Sequence, residues 1–324
     1  MKRSVTIVAF VSFIVIFAIL LMVMFVDKKS ASYKVTTIKT AYNITSTIDE
    51  KDEIVIPIYS NSKKTDLIDV KKVANCYICD LDEENSFLLS LNHIDPGDGV
   101  LRINQEDFYE NNYYFSIENG INSEYSVSLE KAYLKIILKE REIKMCIGSL
   151  SYYKILSYGD AYNWLDLVSL KAIVNELDEE KSIVGVVMGL RNNSNKNITI
   201  NDINVLDINL KASTSEIKVI DEVPKSSDDI SQLLGYRYNP KEITSSDLLD
   251  IVINGNDTIY LLVPIKKIGE IYTNRFGLQI NYLHLDEEQI YYLDDFLYFK
   301  SNRNLKYDDF DIIIYENNWN NWLL

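Results

Sequence analysis

Apolar and polar positions alternate along most of this chain in short runs, the period-two signature of strands with one face buried. Such runs are "IVIPI" at 54–58, "GVLRINQ" at 99–105, "YYFSIEN" at 113–119 and "KAYLKIILK" at 131–139. Later ones are "DTIYLLVPI" at 257–265, "FGLQINYLHL" at 276–285 and "IYYLDDFLYF" at 290–299. Asn, Ser, Asp and Lys turns separate them at strand-sized spacing, which argues for sandwiches rather than alternating strand–helix units. Residues 160–177 are the exception. There Trp164, Leu165, Leu167, Val168, Leu170, Ile173, Val174 and Leu177 make a ragged helical face that Asp160 is placed to cap. The competing reading is a strand over 169–176.

The pattern repeats. "IDEKDEIVIPIYSNSKKTDLIDVKKV" (48–73) and "LDEEKSIVGVVMGLRNNSNKNITINDINV" (177–205) share an acidic turn, an apolar strand, an Asn/Ser/Lys corner and an alternating return. The second copy needs three extra residues before its corner. The later strands also run in parallel, 99–105 with 257–265, 113–119 with 276–285 and 131–139 with 290–299. The corner within 186–200 is therefore expected to be scaffold that opens a second module. Any site is expected in the unshared parts, between Lys211 and Thr244 and at the Trp-bearing end.

These strands resemble, at the level of architecture, tandem immunoglobulin-like sandwiches of bacterial surface proteins. The Cys–Trp–Cys core signature of antibody-type domains is absent. The expected class is all-β, with one transmembrane helix ahead of two tandem β-sandwich modules, 33–145 and 146–324.

Residues 4–26 carry no charged side chain. At about 1.5 Å per residue they reach roughly 34 Å, enough for a hydrocarbon core of about 30 Å. A cleaved signal has a shorter apolar core followed by small residues, whereas this run ends Met24-Phe25-Val26-Asp27-Lys28-Lys29. The expectation is a retained span in the bilayer, a tail of residues 1–3 in the cytoplasm and a tether of 27–32. Lysines also follow the span, so the positive-inside count does not fix orientation; the basic start, Lys2 and Arg3, does so weakly. The sandwiches then sit outside the cytoplasmic membrane and close to it.

Composition narrows the functions. Lys and Arg number 33 against 48 Asp and Glu, a formal charge of −15, which argues against nucleic acid as a partner. With 11 Gly and 5 Pro there is no flexible spacer, and 23 Tyr fit a strand-rich chain.

Candidate chemistry is sparse. In Cys76-Tyr77-Ile78-Cys79 an extended backbone sends the thiols to opposite faces, about 10 Å apart, too far for a bridge. The open alternatives are buried thiols, or one bridge from Cys146 to Cys76 or Cys79. His93-Ile94-Asp95 and His284-Leu285-Asp286 each set a His and an Asp on one face if extended, with no nucleophile signalled. No phosphate loop, nucleophile elbow or HExxH occurs, so neither catalysis nor a cofactor is expected. The acidic turns 80–84, 286–288 and 307–311 lack calcium-loop spacing and are read as solvated loops. Asp95-Pro96-Gly97-Asp98-Gly99 reads as a tight turn.

Aromatics remain. Tyr113-Tyr114, Tyr152-Tyr153 and Tyr291-Tyr292 put one ring on each strand face, and the C-terminal run holds Trp319 and Trp322. Candidate contacts for a partner or glycan are Trp319, Trp322, Tyr291 and Tyr113. The expected function is a membrane-anchored extracytoplasmic binding or scaffold protein, an accessory subunit with a membrane-proximal protein partner. The alternative is a surface module that binds glycan or cell-wall polymer through exposed Tyr and Trp.

Overall fold

The computed structural model describes residues 33–62, 73–118, 123–138, 141–174, 183–221, 249–297 and 310–315. The expected membrane span, tail and tether lie outside these residues. Among those described, no helix is long and apolar enough to cross a membrane.

The described chain is almost entirely strand. The first group is β1 (Tyr33–Ile38), β2 (Thr40–Thr47), β3 (Glu53–Ser60), β4 (Val73–Cys79), β5 (Ser86–Ile103), β6 (Glu106–Ile117), β7 (Tyr125–Leu138) and β8 (Arg141–Ile155). The second is β9 (Leu165–Val174), β10 (Ile183–Asn192), β11 (Ile198–Leu206), β12 (Leu210–Ala212), β13 (Lys218–Ile220), β14 (Ile251–Ile253), β15 (Thr258–Lys267), β16 (Arg275–His284) and β17 (Glu287–Leu297). A 3-10 turn, Thr214–Glu216, precedes β13, and β18 (Phe310–Tyr315) comes last. Of the helix expected over 160–177, residues 165–174 form strand β9 instead, in keeping with the competing strand reading, and 175–177 lie outside the described residues. Paired along β10, β9 becomes the edge of a sheet, and half-buried edge strands tolerate a ragged apolar pattern.

The first unit is one nine-stranded sheet, β18-β1-β3-β6-β5-β4-β7-β8-β2, doubled over on itself. Strand β5 is the fold line. Its start pairs with β4 and most of its length pairs with β6. The two halves face each other across one core, in which Ile54, Ile56 and Phe115 of one half meet Ile78, Leu134 and Met145 of the other. The chain closes this sandwich at Lys39. Before it β1 runs antiparallel to β3, and after it β2 runs parallel to β8. Gly148 makes the close approach feasible. Its φ is +122°, and a Cβ there would sit 2.0 Å from the Thr40 carbonyl oxygen.

The second unit packs a five-stranded sheet, β12-β15-β10-β9 with β13 also on β15, against a four-stranded one, β14-β11-β16-β17. Both contribute to a second core, including Val186, Met188, Leu261 and Val263 from one sheet and Ile200, Ile203, Leu278 and Ile280 from the other. The two units share a neighbour pattern. β1-β3-β6 matches β9-β10-β15, and β4-β7-β8 matches β11-β16-β17. This is the order of immunoglobulin-type sandwiches.

The first strand of the proposed repeat therefore corresponds correctly, β3 with β10. The later strands were paired one step out. Residues 113–119 begin in β6, whose counterpart is β15, while 276–285 fall in β16, the counterpart of β7. Period-two strands are interchangeable by pattern, and the long β5 adds a strand that shifts the count. The expected module boundary at 145/146 falls inside β8, whose Met145, Ile147, Leu150 and Tyr152 all enter the first core. The change of core comes between Ile155 and Leu165.

Asp95-Pro96-Gly97-Asp98-Gly99 is not a turn but a bulge within β5. Register passes from Pro96↔Asn111 to Val100↔Tyr109, so three residues oppose Glu110 alone. The Gly99 amide donates to that carboxylate at 2.9 Å. The true tight turns are Asn104-Gln105 and Leu285-Asp286, two-residue hairpin loops with positive φ at both positions.

The units meet through buried polar groups. Asn43 Nδ2 donates to Asp207 Oδ2 at 2.6 Å and to the Arg275 carbonyl at 2.7 Å. Asn209 donates to Ser149 Oγ at 2.8 Å, and the Ile208 amide to Ser151 Oγ at 2.9 Å.

Candidate functional site

The junction uses one end of the second sandwich, the loops after β11 and before β16. The opposite end gathers four others. Registers Asn192↔Leu165, Arg191↔Thr258 and Ile198↔His284 place the loop before β9, the β10–β11 corner, the β14–β15 turn and the β16–β17 turn side by side. Ten-residue strands at about 3.3 Å per residue set this end roughly 30 Å from the Asn43–Asp207 contact, while Tyr158, at the start of the loop before β9, bonds the Thr45 carbonyl and Glu50 of the first sandwich. In antibody variable domains the loops equivalent to the β10–β11 and β16–β17 turns carry recognition.

Asp160 organises the first loop. Its carboxylate, buried, accepts from the amides of Tyr162, Trp164 and Leu165 at 3.0, 3.1 and 2.6 Å. It also accepts the Tyr282 hydroxyl at 2.7 Å, and burial first, then Asp160, pushes that phenol well above its ordinary value. Asp160 was expected to cap a helix. It caps a strand entry instead, by the same chemistry.

Asn192 organises the corner. It is fully buried; its Nδ2 donates to the carbonyls of Lys196, Ile253 and Asn254, and its Oδ1 accepts from the Ser194 amide and hydroxyl. Backbone bonds stitch the loops together, with Asn193 N reaching the Trp164 carbonyl at 2.7 Å and Asn256 N the Ser194 carbonyl at 2.9 Å.

On this frame stands a column of three rings. Tyr162 stacks on Trp164 with centroids 4.3 Å apart and planes 17° apart. Trp164 lies 3.9 Å from His284, tilted by 33°. Tyr162 is 58% exposed, whereas His284 is 4% exposed. His284 Nε2 lies 3.2 Å from Ser194 Oγ. The single Ser194 proton faces two acceptors, Asn192 Oδ1 and the Lys196 carbonyl. Neither can donate from those atoms, so the imidazole donates from Nε2. Nδ1 is buried and without a hydrogen-bond partner among the described residues.

The other candidates fall elsewhere. Tyr113 is 3% exposed and belongs to the first core; the outward ring of its pair, Tyr114, stacks on exposed His93 at 4.1 Å. Tyr291 is half-buried against the second core in mid-strand, opposite Ile280. Trp319 and Trp322, and residues 222–248, lie outside the described residues. His284 and Asp286 do not share a face, because Asp286 sits in the positive-φ turn. His93 and Asp95 do approach, 3.5 Å apart, but both are exposed.

Cys76, Cys79 and Cys146 are thiols, not a bridge. Burial pushes Cys76 up to about 12 and raises Cys79, the opposite of what a reactive thiolate needs. In the acidic turn 80–84, Glu83 is held by Lys135 and Lys144 at 2.8 and 2.9 Å. Beside a cleft of about 410 Å³ in the first sandwich, Lys154 is buried with Asp52, 3.0 Å away. Its Nζ donates to Asp52 and to the carbonyls of Thr47 and Glu50.

No protein-family model matches the chain, and no curated protein matches it. Among solved structures it is similar to a protein of unknown function from Porphyromonas gingivalis W83, at 10% identity over 80% of this chain and 97% of that one, with a TM-score of 0.22. It is similar also to the C-terminal domain of the Streptococcus pyogenes antigen I/II-family protein AspA, at 8% identity over 81% and 97%, TM-score 0.18. A third is the collagen binding domain of the Erysipelothrix rhusiopathiae surface protein RspB, at 10% identity over 88% and 94%, TM-score 0.14. Likeness this slight says nothing of what the chain binds.

Proposed function

We propose that the protein is a non-catalytic recognition module, anchored in the cytoplasmic membrane by residues 4–26, that holds its ligand on the loop end of the second sandwich. The observation that carries this reading is the Tyr162–Trp164–His284 column. A large ring stands exposed on a frame of buried, satisfied hydrogen bonds, at the end opposite the Asn43–Asp207 contact. Rigid aromatic anchors with Asn and Ser around them are what binding loops of this fold type use, since two-torsion rings lose little entropy on binding. The junction supports the same role, because a half-buried bond at Asn43 and a buried one at Asn209 join the second sandwich to the first.

The test is a photo-crosslinking residue at position 162 of the full-length protein in intact cells, with one at exposed Val100 of the first sandwich as control. A specific adduct at 162 and none at 100 is the expected outcome. Equal labelling from both positions, or none from 162, sinks the loop end as the binding surface. Protease shaving of intact cells tests the anchor, since sandwiches on the outer side are cut and cytoplasmic ones are spared.

A further inference from the structure

We infer that the ligand held at this end is an uncharged polysaccharide, an inference that rests on the loop end being the binding surface. Three observations carry it. The exposed part of the column is a flat ring face, with Tyr162 outermost. A pyranose presents a patch of C–H groups that lies against such a face, and the negative ring face attracts those polarised hydrogens.

The groups around the ring are amides. Asn163, Asn195, Asn254 and Asn256 are exposed on three of the four loops. Each carboxamide donates and accepts, so pairs of them match vicinal hydroxyls, which do the same. A protein partner calls for a desolvated apolar centre, and among the described residues the large aliphatic side chains exposed in these loops are only Leu285, out on the hairpin tip, and Leu156, at the far start of the loop before β9.

Charge decides between neutral and acidic polymers. Lys196 and Arg191 are the exposed cations of this end among the described residues, against exposed Asp166, Asp257, Asp286 and Glu287. That balance repels polyanions, in a chain whose formal charge is already −15. Tyr162 offers an exposed ring rather than an enclosure, so the site suits a repeating chain met along its length rather than one enclosed sugar.

The test is affinity electrophoresis and calorimetry of the full-length protein with chitohexaose and dextran as neutral probes and polygalacturonate as the anionic one. The expected result is retention by at least one neutral probe, none by polygalacturonate, and at least tenfold weaker binding in Tyr162→Ala. Tyr162 is exposed, so its loss leaves the fold intact; Trp164→Ala should abolish binding but also disturbs packing. His93→Ala, which breaks the exposed ring stack of the first sandwich, should bind as the parent does. Retention by neither neutral probe, preference for polygalacturonate, or undiminished binding in Tyr162→Ala overturns the inference. A protein captured from position 162 without retention on glycan overturns the sugar and leaves the binding end standing. Neither capture nor retention sinks both.

Discussion

Asn43 of the first sandwich and Asp207 of the second are joined by a 2.6 Å hydrogen bond from Nδ2 to Oδ2, with Asp207 buried. Replacing Asn43 with Ala leaves that carboxylate oxygen short of its partner, which costs about 1–3 kcal/mol. In calorimetry the parent should melt in one transition, and Asn43→Ala should split or broaden it as the units uncouple. An unchanged single transition would show that the junction holds without this bond.

Lys154 and Asp52 are each 3% exposed and face one another. Lys154→Met strands a buried carboxylate, so it should cost about 3–5 kcal/mol in urea unfolding. The double variant Lys154→Met with Asp52→Leu should recover much of that loss, because burying charge is itself expensive. A double variant no more stable than the single one would contradict this.

Two glycines with positive φ should respond differently. Gly148→Ala drives a methyl into the Thr40 backbone and breaks the β2–β8 pairing, so a loss of at least about 2 kcal/mol is expected. At Gly159, φ +68°, the nearest atom to a new Cβ is Tyr291 Cε2 at 3.8 Å, so only the backbone preference is lost, about 1 kcal/mol. Melting temperatures of the two variants check the order.

Stability should form a plateau in pH. Glu83 is held below its ordinary range by Lys135 and Lys144, Glu106 by Lys34 and Asn61, and Glu50 first by the Thr47 amide. A carboxyl whose folded value is depressed stabilises the fold above its unfolded value and ceases to as pH falls through the folded one. Lys135 and Lys144 are raised, chiefly by Glu83, so their contribution is complete below the lysine value and fades as pH rises through the raised one. The plateau therefore lies between about pH 4.3 and about pH 10.4, the ordinary carboxyl and lysine values. These groups are exposed or half-buried at the surface, so both flanks should be shallow and shallower still in high salt. A melting-temperature profile at two salt concentrations checks it.

Asp160→Ala removes the acceptor of three amides and the Tyr282 hydroxyl. We expect a loss of about 3–5 kcal/mol and, at temperatures where the variant is still folded, a disordered Tyr162–Trp164 loop. Hydrogen exchange should rise first in the amides of Tyr162, Trp164 and Leu165. Exchange that stays slow there would mean that ring stacking alone orders the loop.

The strand content was legible because burial on one face writes itself as alternation, and the β3/β10 likeness survives in the fold. What alternation cannot say is which strand lies beside which. That is why 113–119 was matched one strand too late, and why Gly97 to Gly99 read as a turn until Glu110 was seen opposite them. Edge strand β9 failed for a related reason, since an edge relaxes the burial pattern that separates helix from strand. The site was hidden by distance along the chain. Tyr162 and Trp164 reach His284 only after 120 residues of intervening fold. The Asn-rich corner, read as scaffold, is scaffold and neighbour to the proposed ligand end at once, because Asn192 braces it and Ser194 touches His284.

Strand β18 pairs with β1 along its whole length, Tyr33 opposite Tyr315 and Ile38 opposite Phe310. The second sandwich is thus an excursion out of the first and back. During synthesis the sheet that β1 opens stays one strand short until residue 315 has left the ribosome, so the sandwich begun first is finished last. Until then the outer edge of β1 stands bare, and an arrested or truncated chain would offer that edge to any strand nearby.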